Sequence, residues 1–174
     1  MTPEEMRAFI RDVPDYPRPG ILFKDITPLL GSPAAFREAC EAMAEPYRGK
    51  GITHVAAIES RGFLFGGPMA VTLNAAVVPI RKRGKLPYDA HFEEYELEYG
   101  TDALEMHVDA LPSGARVLLV DDVLATGGTA AAACRLIERL QGEVAACSFL
   151  IRLGFLDGAS RLTNRRVTAL ITYE

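Results

Sequence analysis

The stretch VLLVDDVLATGGTA, residues 117–130, decides how this chain is read. Four aliphatic residues lead into two adjacent aspartates, Asp121 and Asp122. A loop of small and hydroxyl-bearing residues follows, Ala125 to Thr129, and then a run of alanines. A strand as uniformly apolar as RVLLV has no wet face, so it reads as central, parallel and buried on both sides. TAAAACRLIERLQ reads as a helix, with Ala132, Leu136, Ile137 and Leu140 in an apolar stripe. Ligands of open α/β sheets bind beyond the carboxyl ends of the strands. The strand read here stops at Val120, which sets both aspartates at such an end. The helix after them offers free N–H groups and the positive end of its dipole to an anion. Gly127 and Gly128 let the backbone wrap closely, and Thr126 and Thr129 add hydroxyls. The lysine and spacing of a nucleoside-triphosphate loop are absent, so the cradle suits a single phosphate. Two carboxylates that accept hydrogen bonds from sugar hydroxyls complete a pocket for ribose 5-phosphate.

The rest of the chain fits around that pocket. TPEE opens a helix, with Thr2 as N-cap, Pro3 in the first turn and Glu5 closing a capping box. The prolines of VPDYPRPG end it. ILFKDITPLL is a partly extended connection, and Ser32 caps a second helix in SPAAFREACEAMAE. From there strands and helices alternate. THVAAIE and AAVVPI read as strands around the helix FLFGGPMAVTL. ALEMHVDAL alternates like a strand, with Leu104, Met106 and Val108 on one face. EVAACSFLIRL and RVTALITYE are closing strands. RKRGKLPYDAHFEEYELEYGTD is polar and lacks clear periodicity, so it reads as irregular. The pattern predicts an α/β fold with a mainly parallel central sheet flanked by helices. No repeat or linker is visible, so residues 1–174 are expected to form a single domain.

Composition narrows the function classes. A chain of 174 residues can bury a sizeable core. The net charge of −4 argues against a nucleic-acid partner. No apolar run approaches the roughly 20 residues of a membrane-spanning helix. The polar opening MTPEEMRAFI shows no secretory signal, so a cytoplasmic location is expected. Cys40, Cys134 and Cys147 are odd in number and widely spaced, as for buried thiols in a reducing compartment.

VLLVDDVLATGGT closely resembles the 5-phosphoribosyl-1-pyrophosphate (PRPP) motif of the type I phosphoribosyltransferases. YPRPGILFKDITPLL, IESRGFLFG, RKRGKLP, LEYG and the final YE resemble the adenine-specific members of that family, in order and spacing. The resemblance covers nearly the whole chain. It implies the type I phosphoribosyltransferase fold, with a small base-binding hood over about residues 1–31 and a mobile catalytic loop over about 81–103. It also implies transfer of the phosphoribosyl group from PRPP to adenine, giving AMP and pyrophosphate in purine salvage. Two alternatives are weighed against it. One is a 6-oxopurine or xanthine enzyme, and the other a PRPP-sensing regulator without catalysis.

Residue roles follow from the resemblance. Asp121 and Asp122 meet the ribose hydroxyls, and Ala125, Thr126, Gly127, Gly128 and Thr129 hold the 5-phosphate. Ser60, Arg61 and Gly62 lie against pyrophosphate. Arg81, Lys82 and Lys85 approach it, some from the partner subunit of an expected homodimer. Taken alone, RKRGK would equally suit a nucleic-acid patch or a solvated loop. After a strand and before an irregular segment it reads as part of a moving lid. Glu98 is the catalytic carboxylate beside Tyr99, with Gly100 as a hinge, and Arg61 is the second catalytic group. Main-chain groups around Leu22 and Lys24 read the adenine edge, with Phe23 and Leu153 on the ring faces. The charged leaving group implies Mg²⁺, carried by phosphate oxygens and water with no direct protein ligand set.

Overall fold

The computed structural model describes residues 1–97 and 100–174. Helix α1 (Pro3–Arg7) begins on the capping box that the sequence signals: the Thr2 side chain accepts from Glu5 N–H. It ends earlier than the prolines require, and the chain enters strand β1 (Arg11–Pro14). β1 pairs antiparallel with β2 (Leu22–Asp25), which puts Phe23 opposite Val13 and Lys24 opposite Asp12. Helix α2 (Thr27–Leu30) and the longer α3 (Pro33–Ala44) follow, and Ser32 caps α3 through Ala35 N–H.

The main sheet then builds up. Strand β3 (His54–Ile58) leads into α4 (Arg61–Leu73), then β4 (Ala76–Lys82), β5 (Ala90–Glu96) and β6 (Thr101–His107). Strand β7 (Arg116–Leu124), α5 (Gly128–Arg139), β8 (Glu143–Leu153) and β9 (Val167–Tyr173) complete the chain. The strand order is β5-β6-β4-β3-β7-β8-β9. β4, β3, β7, β8 and β9 run parallel, and the β5–β6 pair is antiparallel at one edge.

β7 is buried on both faces, as its composition predicts. Val117 and Leu119 pack with Ala132, Ala133, Leu136 and Ile137 of α5. Leu118 and Val120 pack on the other side with Phe65 and Met69 of α4 and Met43 of α3. Met6, Ile26 and Leu29 belong to this second cluster, so the N-terminal elements share the core. Gly66 brings α4 against β3: a Cβ there would lie 2.5 Å from the Cβ of Ala57. All three cysteines are free and buried, with the Cys134 and Cys147 sulfurs 3.8 Å apart.

Three readings of the sequence need correction. β7 does not stop at Val120; it continues through both aspartates to Leu124, because β8 keeps pairing with it as far as Arg152. The segment 81–103 is not uniformly irregular, since the β5–β6 hairpin occupies much of it. The alternation there is carried by Glu93 and Tyr95 facing inward, polar residues that conceal a period of two. Val108 lies beyond the end of β6 and is exposed, whereas Leu104 and Met106 are fully buried.

Candidate active site

The parallel strands reach their carboxyl ends along one edge of the sheet. β3 is followed in the chain by β4 on one side, whereas β7 lies on the other side. Such a reversal of strand order leaves a crevice between the two strands. Arg61, just after β3, and Asp121 and Asp122, near the end of β7, stand at this point. A cavity of about 460 Å³ opens there, in the size range of small-ligand sites.

The sequence-predicted residues meet on its wall. Ser60, Arg61, Lys82, Asp121, Asp122, Ala125, Thr126, Gly127 and Thr129 line it, and so do Leu22, Phe23, Lys24 and Leu153. Gly62, Gly128, Arg81 and Lys85 do not. Glu98 and Tyr99 lie outside the described residues.

The two aspartates have different surroundings. Asp122 is 4% exposed, and one of its carboxylate oxygens accepts from Arg61 Nε. Burial is the largest single influence and lowers Arg61, but the charge and hydrogen bond of Asp122, with the charges of Asp121 and Asp25, together outweigh it and raise the guanidinium above its usual range. Asp121 accepts the N–H of Asp122 at 2.8 Å. Gly62 packs onto it so closely that a Cβ would fall 2.9 Å from its Oδ1. Burial, and then the like charge of Asp122, push Asp121 well above the ordinary carboxylate range.

The loop after β7 is held from behind. Gly127 has φ 82° and caps α5 without a side-chain hydrogen bond. The first intrahelical bond runs from Ala131 N–H to the Gly127 carbonyl, so the N–H groups of Gly128, Thr129 and Ala130 precede it. A Cβ on Gly127 would meet the Gly158 carbonyl oxygen at 2.2 Å, and one on Gly158 would meet the Ala125 carbonyl oxygen at 2.2 Å. Two backbones therefore cross here where neither tolerates a side chain. The sequence does show Gly158, but nothing in a lone DG pair marks it as a support for a loop thirty residues earlier.

Cations at the other end of the cavity are held by carboxylates. Lys82 Nζ donates to Tyr95 Oη at 2.5 Å and to Asp102. Burial tends to lower Lys82, but the bonds to Asp102 and Tyr95 raise it, and Lys82 in turn holds Asp102 below its ordinary range. Glu59, on the cavity wall, accepts from Lys85 Nζ at 2.5 Å and from Lys82 N–H at 2.8 Å. The Glu59–Ser60 peptide beside it is cis.

The N-terminal strands supply the remaining wall. Phe23 packs edge-on to Tyr16 at 5.1 Å, and a recess of about 330 Å³ adjoins the cavity at Phe23, Lys24 and Arg61. Lys24 Nζ is bound to Asp12 at 2.6 Å and sits 4.0 Å from the Tyr173 ring centre. Its ammonium is thus committed to Asp12, while Lys24 lines the cavity. β2 has a partner on one edge only, so half of its backbone groups point away from β1.

A family model described as Phosphoribosyl transferase domain matches residues 26–166. A protein of Myxococcus xanthus named adenine phosphoribosyltransferase is 54% identical over 169 residues, 97% of this chain and 92% of that one. This chain belongs to the adenine phosphoribosyltransferase family. Solved structures agree in shape. The adenine phosphoribosyltransferase of Thermoanaerobacter pseudethanolicus superposes with a TM-score of 0.96 at 49% identity, covering 99% of this chain and 100% of that one. The enzyme of Saccharomyces cerevisiae, solved with an imino-altritol bisphosphate and adenine, gives 0.92 at 38% identity over 97% and 98%. The mainly parallel sheet flanked by helices is therefore the type I phosphoribosyltransferase fold.

Proposed function

We propose that this chain transfers the 5-phosphoribosyl group of PRPP to adenine, releasing pyrophosphate and forming AMP. The observation that carries the reading is one cavity with two unlike walls. Paired aspartates and a helix N-terminus form the first, and an extended backbone edge beside Phe23 and Leu153 forms the second. The adenine-specific relatives support the same substrate and do not favour a 6-oxopurine enzyme or a regulator.

In this reading Asp121 and Asp122 receive the ribose hydroxyls, and the N–H groups that begin α5 receive the 5-phosphate. Ser60 and Arg61 face the pyrophosphate. Gly62 lets α4 approach Asp121, and Gly128 keeps the helix start free of side chain. Arg81, Lys82 and Lys85 supply further positive charge from the end of β4 and the turn after it. Leu22 and Lys24 offer a carbonyl and an N–H to the N6 amino group and N1 of adenine, between Phe23 and Leu153. The bond from C1 to pyrophosphate breaks as the bond to adenine N9 forms, through an oxocarbenium-like transition state. Alignment and charge neutralisation then do most of the catalysis. Glu98 is assigned to assist departure of the N9 proton, with Tyr99 beside it.

No group of three or more metal-ligating side chains occurs among the described residues. The cavity does present a carboxylate at Asp121, a hard oxygen donor of the kind Mg²⁺ accepts alongside phosphate and water. Bound with PRPP, Mg²⁺ would neutralise the departing pyrophosphate. The family likeness supports a homodimer, and the buried free cysteines support a reducing cytoplasmic setting. No helix among the described residues is long and apolar enough to cross a membrane.

The test offers adenine, hypoxanthine, guanine, xanthine and orotate separately with PRPP and Mg²⁺, and measures nucleotide formed. Adenine should be preferred by a factor on the order of 10⁴, because a 6-oxopurine sets a donor against a donor and an acceptor against an acceptor. Product from another base with none from adenine would refute the substrate, and no product from any base would refute the enzyme.

A further inference from the structure

Glu59 follows β3 directly, and its side chain is 9% exposed. Four donors converge on its carboxylate. Lys85 Nζ reaches Oε1 at 2.5 Å, with Arg81 Nη2 on the same oxygen at 3.4 Å. Lys82 N–H reaches Oε2 at 2.8 Å, with Arg81 Nε at 3.3 Å. The two cations are far more exposed than the anion they share, 36% for Arg81 and 51% for Lys85. The Arg81 guanidinium also donates to the Lys85 carbonyl, which closes the turn over the carboxylate.

We propose that Glu59 is an internal anion that competes with pyrophosphate for Arg81 and Lys85, so that this product is held less tightly than the cations alone would hold it. The inference rests on the reading of the cavity as a pyrophosphate-releasing site. Its physics is simple. A cation already hydrogen-bonded in the free protein has less to gain from a ligand, since the old contact is lost as the new one forms. The backbone bond from Lys82 ties Glu59 to β4, so the carboxylate stays in place while the solvent-facing side chains move. With one negative and two positive charges, the cluster keeps a net attraction for a phosphate anion, but a reduced one. Asp102 and Tyr95 hold Lys82 Nζ separately, so the competition concerns Arg81 and Lys85 alone.

The experiment titrates magnesium pyrophosphate into the full chain by calorimetry, for wild type, Glu59→Gln, Lys85→Gln and the double variant, with thermal melts to check folding. Glu59→Gln should bind about fivefold more tightly, as for removal of a partly exposed competing ion pair. Lys85→Gln should cost more affinity in the Glu59→Gln background than in wild type, because only there is the ammonium free of its internal partner. If Glu59→Gln does not fold, Glu59→Asp draws the carboxylate back from Lys85 and should shift affinity in the same direction by less. Unchanged or weaker binding in the folded Glu59 variant, equal Lys85→Gln costs in both backgrounds, or no binding by any form would overturn the proposal. AMP formation by wild type is measured separately. A chain with the expected affinities that makes no AMP would refute the proposed activity and leave this inference standing.

Discussion

Asp122 gives an oxygen to Arg61, while Asp121 takes a neighbouring N–H and lies under Gly62. The pair is therefore asymmetric before any sugar arrives, and pH should show it. The folded state raises the pKa of Asp121 above its unfolded value. Its contribution to stability is then fully present below the unfolded value and is lost as pH rises through the folded one. Above the unfolded value this preference for the protonated form costs the ligand-free protein stability. Asp121→Asn should raise Tm at neutral pH, by roughly 2–4 °C for each 1 kcal/mol released, and flatten the change in Tm between acid and neutral solution. The same variant should raise the KM for PRPP by about 10- to 100-fold, as for loss of a hydrogen bond to a charged group. Thermal melts at several pH values and steady-state kinetics check both, and a fall in Tm at neutral pH would contradict the electrostatic account. The residue types and their spacing reveal the two carboxylates. Their division of labour is invisible in sequence, because it depends on Arg61 and Gly62 arriving from another strand end.

β7 owes its length to β8. A reading by hydrophobicity ends the strand at the first charge, but backbone pairing does not depend on side-chain polarity and carries β7 to Leu124. The β5–β6 hairpin escapes notice for a related reason: the residues it turns inward include Glu93 and Tyr95, which partner Arg135 and Lys82. Helices α1, α3 and α5 are legible from local chemistry alone, through the caps at Thr2 and Ser32 and the stripe of α5. The crossing of Gly127 and Gly158 is the long-range contact that backs the loop after β7. Gly158→Ala sets a methyl group against the Ala125 carbonyl and the Gly127 nitrogen, all main chain that cannot rotate away. Overpacking of this kind costs about 1–3 kcal/mol. Tm should fall accordingly, and the KM for PRPP should rise more than that for adenine. Equal changes in the two KM values would mean that Gly158 does not support the phosphate end.

At the scale of the molecule, the site lies where strand order reverses, so that β3, β4, β7 and β8 each end beside it. A parallel sheet thus brings residues from the middle and end of the chain to one edge, and β2 of the N-terminal pair supplies a further wall of the cavity. The alternation of strands and helices makes the sheet legible in sequence. The cavity is legible through the wall built by β7 and the start of α5, whose chemistry is local. The wall at Leu22 and Lys24 is assigned to the base by the proposal through main chain, which leaves no side-chain signature and enters the sequence reading through resemblance alone. The central claim is that both walls serve one ligand. A crystal structure with AMP bound tests it most directly. The account predicts phosphate at the N–H groups of Gly128 and Thr129, ribose on Asp121 and Asp122, and adenine between Phe23 and Leu153. Phosphate elsewhere, or a base lying outside the Phe23–Leu153 gap, would contradict it.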